Sequence, residues 1–137
     1  FDKIEAYVHR DKPSNVRLMK RLPKEDYDKM VAACDVGMIF LDHRFTIPNF
    51  PSRLLSYMQA KIPVLAVTDP NTDIGKVIVD GGFGWWCESN SLKGFNKQLQ
   101  YILKADLSTF KRKEYCCLKE HYSTDISYRI IMRAINH

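Results

Sequence analysis

The 137 residues contain 45% hydrophobic side chains and have a formal net charge of +5, a composition typical of a globular domain rather than of a disordered segment. The longest apolar run, residues 36–41, has the length of a strand, so the composition excludes a membrane span of ~20 apolar residues. Four cysteines and four histidines show no metal-ligand spacing, which predicts no metal site and reduced thiols in a cytoplasmic protein.

Basic residues outnumber acidic ones by 21 to 16. They cluster at Arg17, Lys20, Arg21 and Lys24, and again at Lys111, Arg112 and Lys113. Such a surplus favours anionic partners, namely nucleotides, the acidic lipids of a peripheral membrane contact, or nucleic acid. Because no nucleic-acid motif or aromatic stacking pattern accompanies the clusters, we do not expect nucleic acid as a partner.

The first half of the chain predicts helices around two strands. A helix is already under way at Ile4, so we expect the piece to be excised from a longer protein. A short strand follows at residues 15–19. Pro23 then begins a helix, and residues 36–41 form a strand that is apolar on both sides, as expected when helices cover both faces. The apolar stripe of the Pro23 helix comprises Tyr27, Met30, Val31 and Cys34.

The second half predicts a helix from Ser52, a buried strand at residues 63–67, a helix capped by Thr72 and ended by Gly81 and Gly82, and a strand at residues 84–87. The chain is helical from Ser91 onward. Two apolar stripes are predicted there, Leu92, Phe95, Leu99, Ile102 and Leu103 in one and Ile126, Ile130, Ala134 and Ile135 in the other. Trp85 and Trp86 are both interpreted as packing residues. Strands alternating with helices predict a parallel α/β sheet of Rossmann type, with ligands at the carboxyl ends of the strands.

The helix that begins at Ser52 has no acidic residue in its first turn, whereas those beginning near Pro23, Thr72 and Thr124 have one. Its hydroxyl and the guanidinium of Arg53 leave the positive helix end open to an outside anion, for which we expect a phosphate. The alternative is an ordinary capped helix with a solvated arginine.

The loop before this helix contains a second candidate. His43 follows the strand at residues 36–41, where an acid or base could face a ligand, although a loop histidine without a visible orienting partner is more often a surface residue.

Three ordered blocks carry a family resemblance. They are residues 33–39 (ACDVGMI), 49–66 (NFPSRLLSYMQAKIPVLA) and 80–85 (DGGFGW). Together they resemble the carboxyl-terminal, nucleotide-sugar-binding domain of family 4 glycosyltransferases, which have the GT-B fold and include bacterial surface-polysaccharide transferases. The resemblance covers most of the chain and implies that residues 1–137 form a donor-binding domain that is incomplete at its amino end.

The resemblance implies a UDP-type sugar donor, a retaining mechanism without a metal or other cofactor, and a role in capsular or O-antigen polysaccharide synthesis. It implies that the diphosphate contacts Ser52, Arg53 and the backbone N–H groups of Leu54 and Leu55. The two glutamates usual in the family are replaced by Pro48 and Ser56. Asn49 could instead reach the sugar, and Ser56 the ribose.

The acceptor would lie on an amino-terminal domain of the same protein, which would be cytoplasmic or peripheral on the inner face of the membrane. Two alternatives remain open: a non-catalytic nucleotide-binding or interaction module that has lost the carboxylates, and a GT-B sugar-nucleotide epimerase. In the family's strand order the missing strands lie between those at Val16 and Val36, so we expect exposed strand edges and a homodimer or an exchanged element.

Overall fold

The computed structural model describes residues 2–47, 49–110 and 112–136, in which strands and helices alternate through the middle of the chain. The strands are β1 (Gly37–Phe40), β2 (Val64–Thr68) and β3 (Gly84–Glu88). The helices are α1 (Asp2–Asp11), α2 (Lys24–Ala32), α3 (Arg53–Ala60), α4 (Ile74–Asp80), α5 (Leu92–Ile102), α6 (Lys113–His121) and α7 (Thr124–Ile135), with a 3₁₀ helix at Leu107–Thr109. The predicted α/β class is confirmed.

The three strands form one parallel sheet in the order β1-β2-β3. Val64 lies between Gly37 and Gly84 in the register. A Cβ atom on Gly84 would lie 2.0 Å from the carbonyl oxygen of Val64, which no side chain can accommodate. Glycine at this position therefore permits the close approach of β3 to β2.

Helices cover both faces of the sheet, so the predicted Rossmann-like parallel sheet with flanking helices is confirmed. On one face, α2, α3, α4 and α6 pack over a core that includes Ile39, Leu54, Met58, Ile78 and Phe83. On the other face, α5 packs over Leu65, Val67 and Cys87. Burial of apolar side chains on both faces stabilises this three-layer arrangement.

The two tryptophans pack on opposite faces, which confirms their interpretation as packing residues. Trp86 lies against the larger core and donates a hydrogen bond from Nε1 to the Thr68 hydroxyl at 2.9 Å. Trp85 packs on the α5 side, with its ring 4.7 Å from that of Phe110. Adjacent strand residues point to opposite faces of the sheet, so each indole packs in a different helical layer.

The strand predicted at residues 15–19 is wrong. The segment has no regular secondary structure, and Val16 and Met19 remain 45% and 44% exposed. A strand this short needs a neighbour to satisfy its N–H and C=O groups and to bury its side chains, and no strand of the described chain pairs with it.

The predicted stripe of the Pro23 helix packs on the core through Tyr27, Met30 and Val31, whereas several members of the predicted stripes remain exposed. Cys34 follows α2 and is exposed, with its thiol 3.3 Å from the Met30 carbonyl. In α5, Leu92 and Leu103 are 74% and 78% exposed, and no residue of α7 is buried. Periodicity predicts which side chains share a helix face but does not show that another element covers it.

The helix predicted to be capped by Thr72 begins at Ile74, with Asp73 at the N-cap position. Thr72 itself is buried in the preceding turn, where its N–H donates to the Asp69 carboxylate. Gly81 and Gly82 end α4 as predicted, and Gly82 adopts the left-handed conformation.

Candidate functional site

A pocket of about 420 Å³ opens beside the carboxyl end of β1, the edge at which open α/β sheets bind ligands. Its lining comprises Ile39, Phe40, Leu41, Asn49, Phe50, Pro51, Ser52 and Arg53. The fold thus brings together Asn49, Ser52 and Arg53, three of the residues singled out from the sequence. Its volume falls within the ordinary range for small-molecule sites.

Ser52 and Arg53, at the start of α3, both line this pocket, and Arg53 also lines a neighbouring cleft beside Tyr57. Ser52 occupies the N-cap position in a helical conformation, and its side chain makes no capping hydrogen bond. Within residues 2–47, 49–110 and 112–136, Arg53 makes no ion pair, and its backbone N–H donates no hydrogen bond. An anion in the pocket would meet these groups together with the positive end of the helix.

The premise that the N–H groups of Leu54 and Leu55 are free is wrong. They donate to the carbonyl oxygens of Pro51 and Ser52 at 3.0 and 3.1 Å. The tight first turn of α3 satisfies these donors locally, as 3₁₀-type bonds commonly do at helix ends. The Leu54 side chain is wholly buried and Leu55 packs on the core. A phosphate contacting these two residues would therefore share a backbone N–H group that already donates to a carbonyl oxygen, as a bifurcated hydrogen bond.

The expectation that α3 alone begins without an acidic residue in its first turn is also wrong, because the first turns of α4 and α5 have none, although Asp73 occupies the N-cap position of α4. The starts of α3 and α5 differ in their capping. At α5 the hydroxyl of Ser91 accepts a hydrogen bond from the Gly94 N–H at 3.0 Å, whereas the Ser52 hydroxyl is not used in this way. Ser91 thus caps the start of α5, whereas the start of α3 has no side-chain cap.

Ser56 lies apart from this pocket. It is half-buried and lines a different cleft between α2 and α3, beside Asp28 and Gln59. The structure therefore does not bring Ser56 together with Ser52 and Arg53. Pro48, the other position at which the family carries a glutamate, lies outside the described residues, as does Lys111 of the second basic cluster.

His43 is exposed and does not line the pocket. Its Nδ1 lies 3.5 Å from Oδ1 of Asp42, so it does have a neighbour that could orient it. Hydrogen bonds from Arg44, including one of 2.6 Å from Nη2 to Oδ2, hold the pKa of the Asp42 carboxyl well below its usual range. An acid–base role for His43 remains a prediction.

Two contacts that the sequence analysis missed hold the loop between β1 and α3. Asn71 donates from Nδ2 to the Phe45 carbonyl at 3.0 Å, and the ring of Phe50 lies 5.2 Å from that of Tyr122. The turn-forming residues at positions 69–71 could have indicated a polar contact at Asn71. No local pattern could have indicated the second, because Tyr122 follows α6, far along the chain.

A larger pocket of about 510 Å³ lies between α4 and α6 and includes Lys76, Asp80 and His121 in its lining. It contains none of the predicted site residues and lies away from the end of β1. In the part of the chain that the structure describes, no three His, Cys, Asp or Glu side chains are arranged to hold a metal ion. Nor does any described helix have the length and apolar character needed to cross a membrane.

Comparison with curated proteins finds a similarity to the probable glycosyltransferase WbjE of Pseudomonas aeruginosa. The two sequences are 29% identical over 126 residues, which are 92% of this chain and 32% of WbjE. The chain thus spans about a third of the length of this relative. No family model and no solved structure matches the chain. The similarity supports a relationship to glycosyltransferases.

Proposed function

We propose that this chain binds the nucleotide-sugar donor of a glycosyltransferase, a UDP-sugar, in the pocket between β1 and α3. The observation that carries the proposal is that one pocket is lined by Ser52, whose hydroxyl does not cap α3, and by Arg53, which makes no ion pair among the described residues. The similarity to a probable glycosyltransferase over 92% of the chain supports the same reading.

The diphosphate of the donor would lie at the start of α3. The Arg53 guanidinium can donate two parallel hydrogen bonds to phosphate oxygens, and the Ser52 hydroxyl can donate a third. Each charge-assisted hydrogen bond contributes on the order of 1.5–3 kcal/mol. Asn49 lies on the same pocket wall and offers amide groups to the sugar.

The same groups would act in transfer. Negative charge develops on the diphosphate as the sugar–phosphate bond breaks, and a fixed guanidinium and helix end stabilise that charge without rearrangement. We propose a retaining reaction without a metal, in the synthesis of a bacterial surface polysaccharide. The acceptor would be positioned by another part of the full protein.

A non-catalytic nucleotide-binding module is the second candidate. It is favoured by the pocket lining, which among the described residues contains no carboxylate and no histidine. A module of this kind would bind the nucleotide without consuming the sugar donor, so turnover by the full protein separates it from the transferase.

The substitution Arg53→Glu tests the phosphate contact. It places a carboxylate where the diphosphate would lie, so we expect UDP binding, measured by isothermal titration calorimetry, to weaken at least about 100-fold, the equivalent of about 2.7 kcal/mol. Thermal-shift screening of UDP, GDP and their sugars against the unsubstituted chain would establish the base and sugar.

Arg21→Glu is the matched control, because it makes the same change of charge at an exposed position away from the pocket. We expect its UDP affinity to remain that of the unsubstituted chain. Equal affinity of the Arg53→Glu variant and the Arg21→Glu variant would overturn the phosphate assignment, since net charge would then explain any loss.

A further inference from the structure

The loop between β1 and α3 forms one wall of the candidate pocket, through Asn49, Phe50 and Pro51. These three residues have no regular secondary structure, and Asn49 and Phe50 are exposed. Backbone of this kind has few internal bonds to define its position. The shape of the pocket therefore depends on whatever holds the loop from outside.

The first anchor comes from the turn after β2. Asp69 is wholly buried, and its Oδ1 accepts hydrogen bonds from the N–H groups of Asn71 and Thr72 at 2.8 and 2.9 Å. These bonds hold the turn in one conformation. The turn directs the Asn71 amide to the Phe45 carbonyl at 3.0 Å, on the β1 side of the loop.

The second anchor comes from the end of α6. Tyr122 is half-buried and packs against the larger core, and its N–H donates to the Leu118 carbonyl at 2.9 Å. Its ring lies 5.2 Å from the ring of Phe50, at an interplanar angle of 30°. Tyr122 does not itself line the pocket, whereas Phe50 does, so its contact with Phe50 links Tyr122 to the pocket wall.

We propose that Tyr122, together with Asn71, is a positioning residue that holds the loop between β1 and α3 as the wall of the donor pocket. The inference rests on the proposed function for its ligand, but the anchoring itself does not need a ligand. A rigid wall lowers the ordering cost that the donor must otherwise meet on binding. Donor affinity is thereby linked to the packing of α6.

Tyr122→Leu tests this inference in the chain without ligand. The substitution removes the ring but keeps an apolar side chain, so we expect faster hydrogen exchange of peptides covering residues 42–51, measured by mass spectrometry, with unchanged exchange in β2. Tyr122→Phe keeps the ring and should exchange like the unsubstituted chain. Tyr115→Leu makes the same replacement on α6 at a residue outside the pocket lining, and it should leave the loop unchanged.

A UDP titration of the same variants supplies the functional measurement. An aromatic pair contributes about 0.5–1.5 kcal/mol, so Tyr122→Leu should weaken binding by about 2–10-fold while Tyr122→Phe stays within about twofold. Asn71→Ala should also lower the affinity for UDP.

Loop exchange in Tyr122→Leu equal to that of Tyr115→Leu would overturn the inference. Loop exchange in Tyr122→Phe as fast as that in Tyr122→Leu would overturn it as well, because the ring is kept in that variant. If the unsubstituted chain does not bind UDP while the exchange results hold, the proposed function fails and the anchoring stands.

Discussion

Glu114 is the residue least compatible with its surroundings. Its side chain is wholly buried on α6, and neither carboxylate oxygen has a hydrogen-bond partner among the described residues. Burial raises the pKa of this carboxyl from 4.5 to about 6, because an apolar environment disfavours the charged form. The folded chain therefore holds this proton more tightly than the unfolded chain does.

The pH dependence of stability follows from this shift. A raised folded-state pKa adds stability that is fully present below the unfolded value of 4.5 and is lost as the pH rises through about 6. We expect Glu114→Gln to remove this loss, so that the variant gains up to about 2 kcal/mol over the unsubstituted chain between about pH 4.5 and about pH 8. Urea unfolding at both pH values measures the gain.

Glu120→Gln is the control for that measurement, because Glu120 lies on the same helix and is exposed. Any general effect of removing a carboxylate from this helix appears in both variants, so the difference between them reports the burial of Glu114. A Glu114→Gln variant with a pH-independent stability difference would show that the Glu114 carboxyl is solvated in solution.

At the scale of single elements, β1 is an edge strand with an apolar surface. It pairs with β2 on one side only within the described chain, and Phe40 at its end is 58% exposed. Unpaired N–H and C=O groups beside apolar side chains favour pairing with another strand. Residues 15–19 do not pair with this edge within the described chain, and the Tyr57 hydroxyl donates to the Met38 carbonyl of β1 at 3.2 Å. Pairing of the edge with another copy stays a prediction.

We expect the chain to dimerise or exchange an element through this edge, with an apparent mass that rises with concentration in light scattering. Phe40→Lys should shift the chain to monomer, because a charge on an edge strand disfavours pairing. Val79→Lys introduces the same charge at an exposed position on α4 and should leave association unchanged. A strictly monomeric unsubstituted chain at all concentrations would contradict this expectation.

At the scale of the whole molecule, we expect the 137-residue chain to bind a UDP-sugar without transferring the sugar. The pocket lining offers Asn49, Ser52 and Arg53 as polar side chains. Within the described residues it includes no group able to move a proton near neutral pH. The chain spans about a third of the length of WbjE, and we propose that an acceptor is bound by another part of a full protein.

A coupled assay of UDP release, with and without glycan or lipid-linked acceptors, measures that activity. Release well above the level of the Arg53→Glu variant would contradict the expectation and show that the chain is sufficient for chemistry. Slow release that requires no acceptor would instead indicate hydrolysis of the donor.

The sequence by itself determined the elements whose side-chain pattern matches local geometry. The apolar run at residues 63–67 predicts a buried strand, and all five residues of β2 are buried. Gly81 and Gly82 end α4, because glycine readily adopts the left-handed conformation found at Gly82. Alternation of such strands with helices restricts the fold to a parallel α/β sheet. The acid-free start of α3 at Ser52 and Arg53 is local information of the same kind.

Only the tertiary structure decided which patterns are used. Val16 remains exposed, and the apolar side of α7 is uncovered, because burial depends on a partner that periodicity does not specify. The bonds that occupy the Leu54 and Leu55 N–H groups arise from the backbone path into α3. The contact of Phe50 with Tyr122 joins residues distant in the chain. Such contacts depend on packing in three dimensions, which a local sequence pattern does not contain.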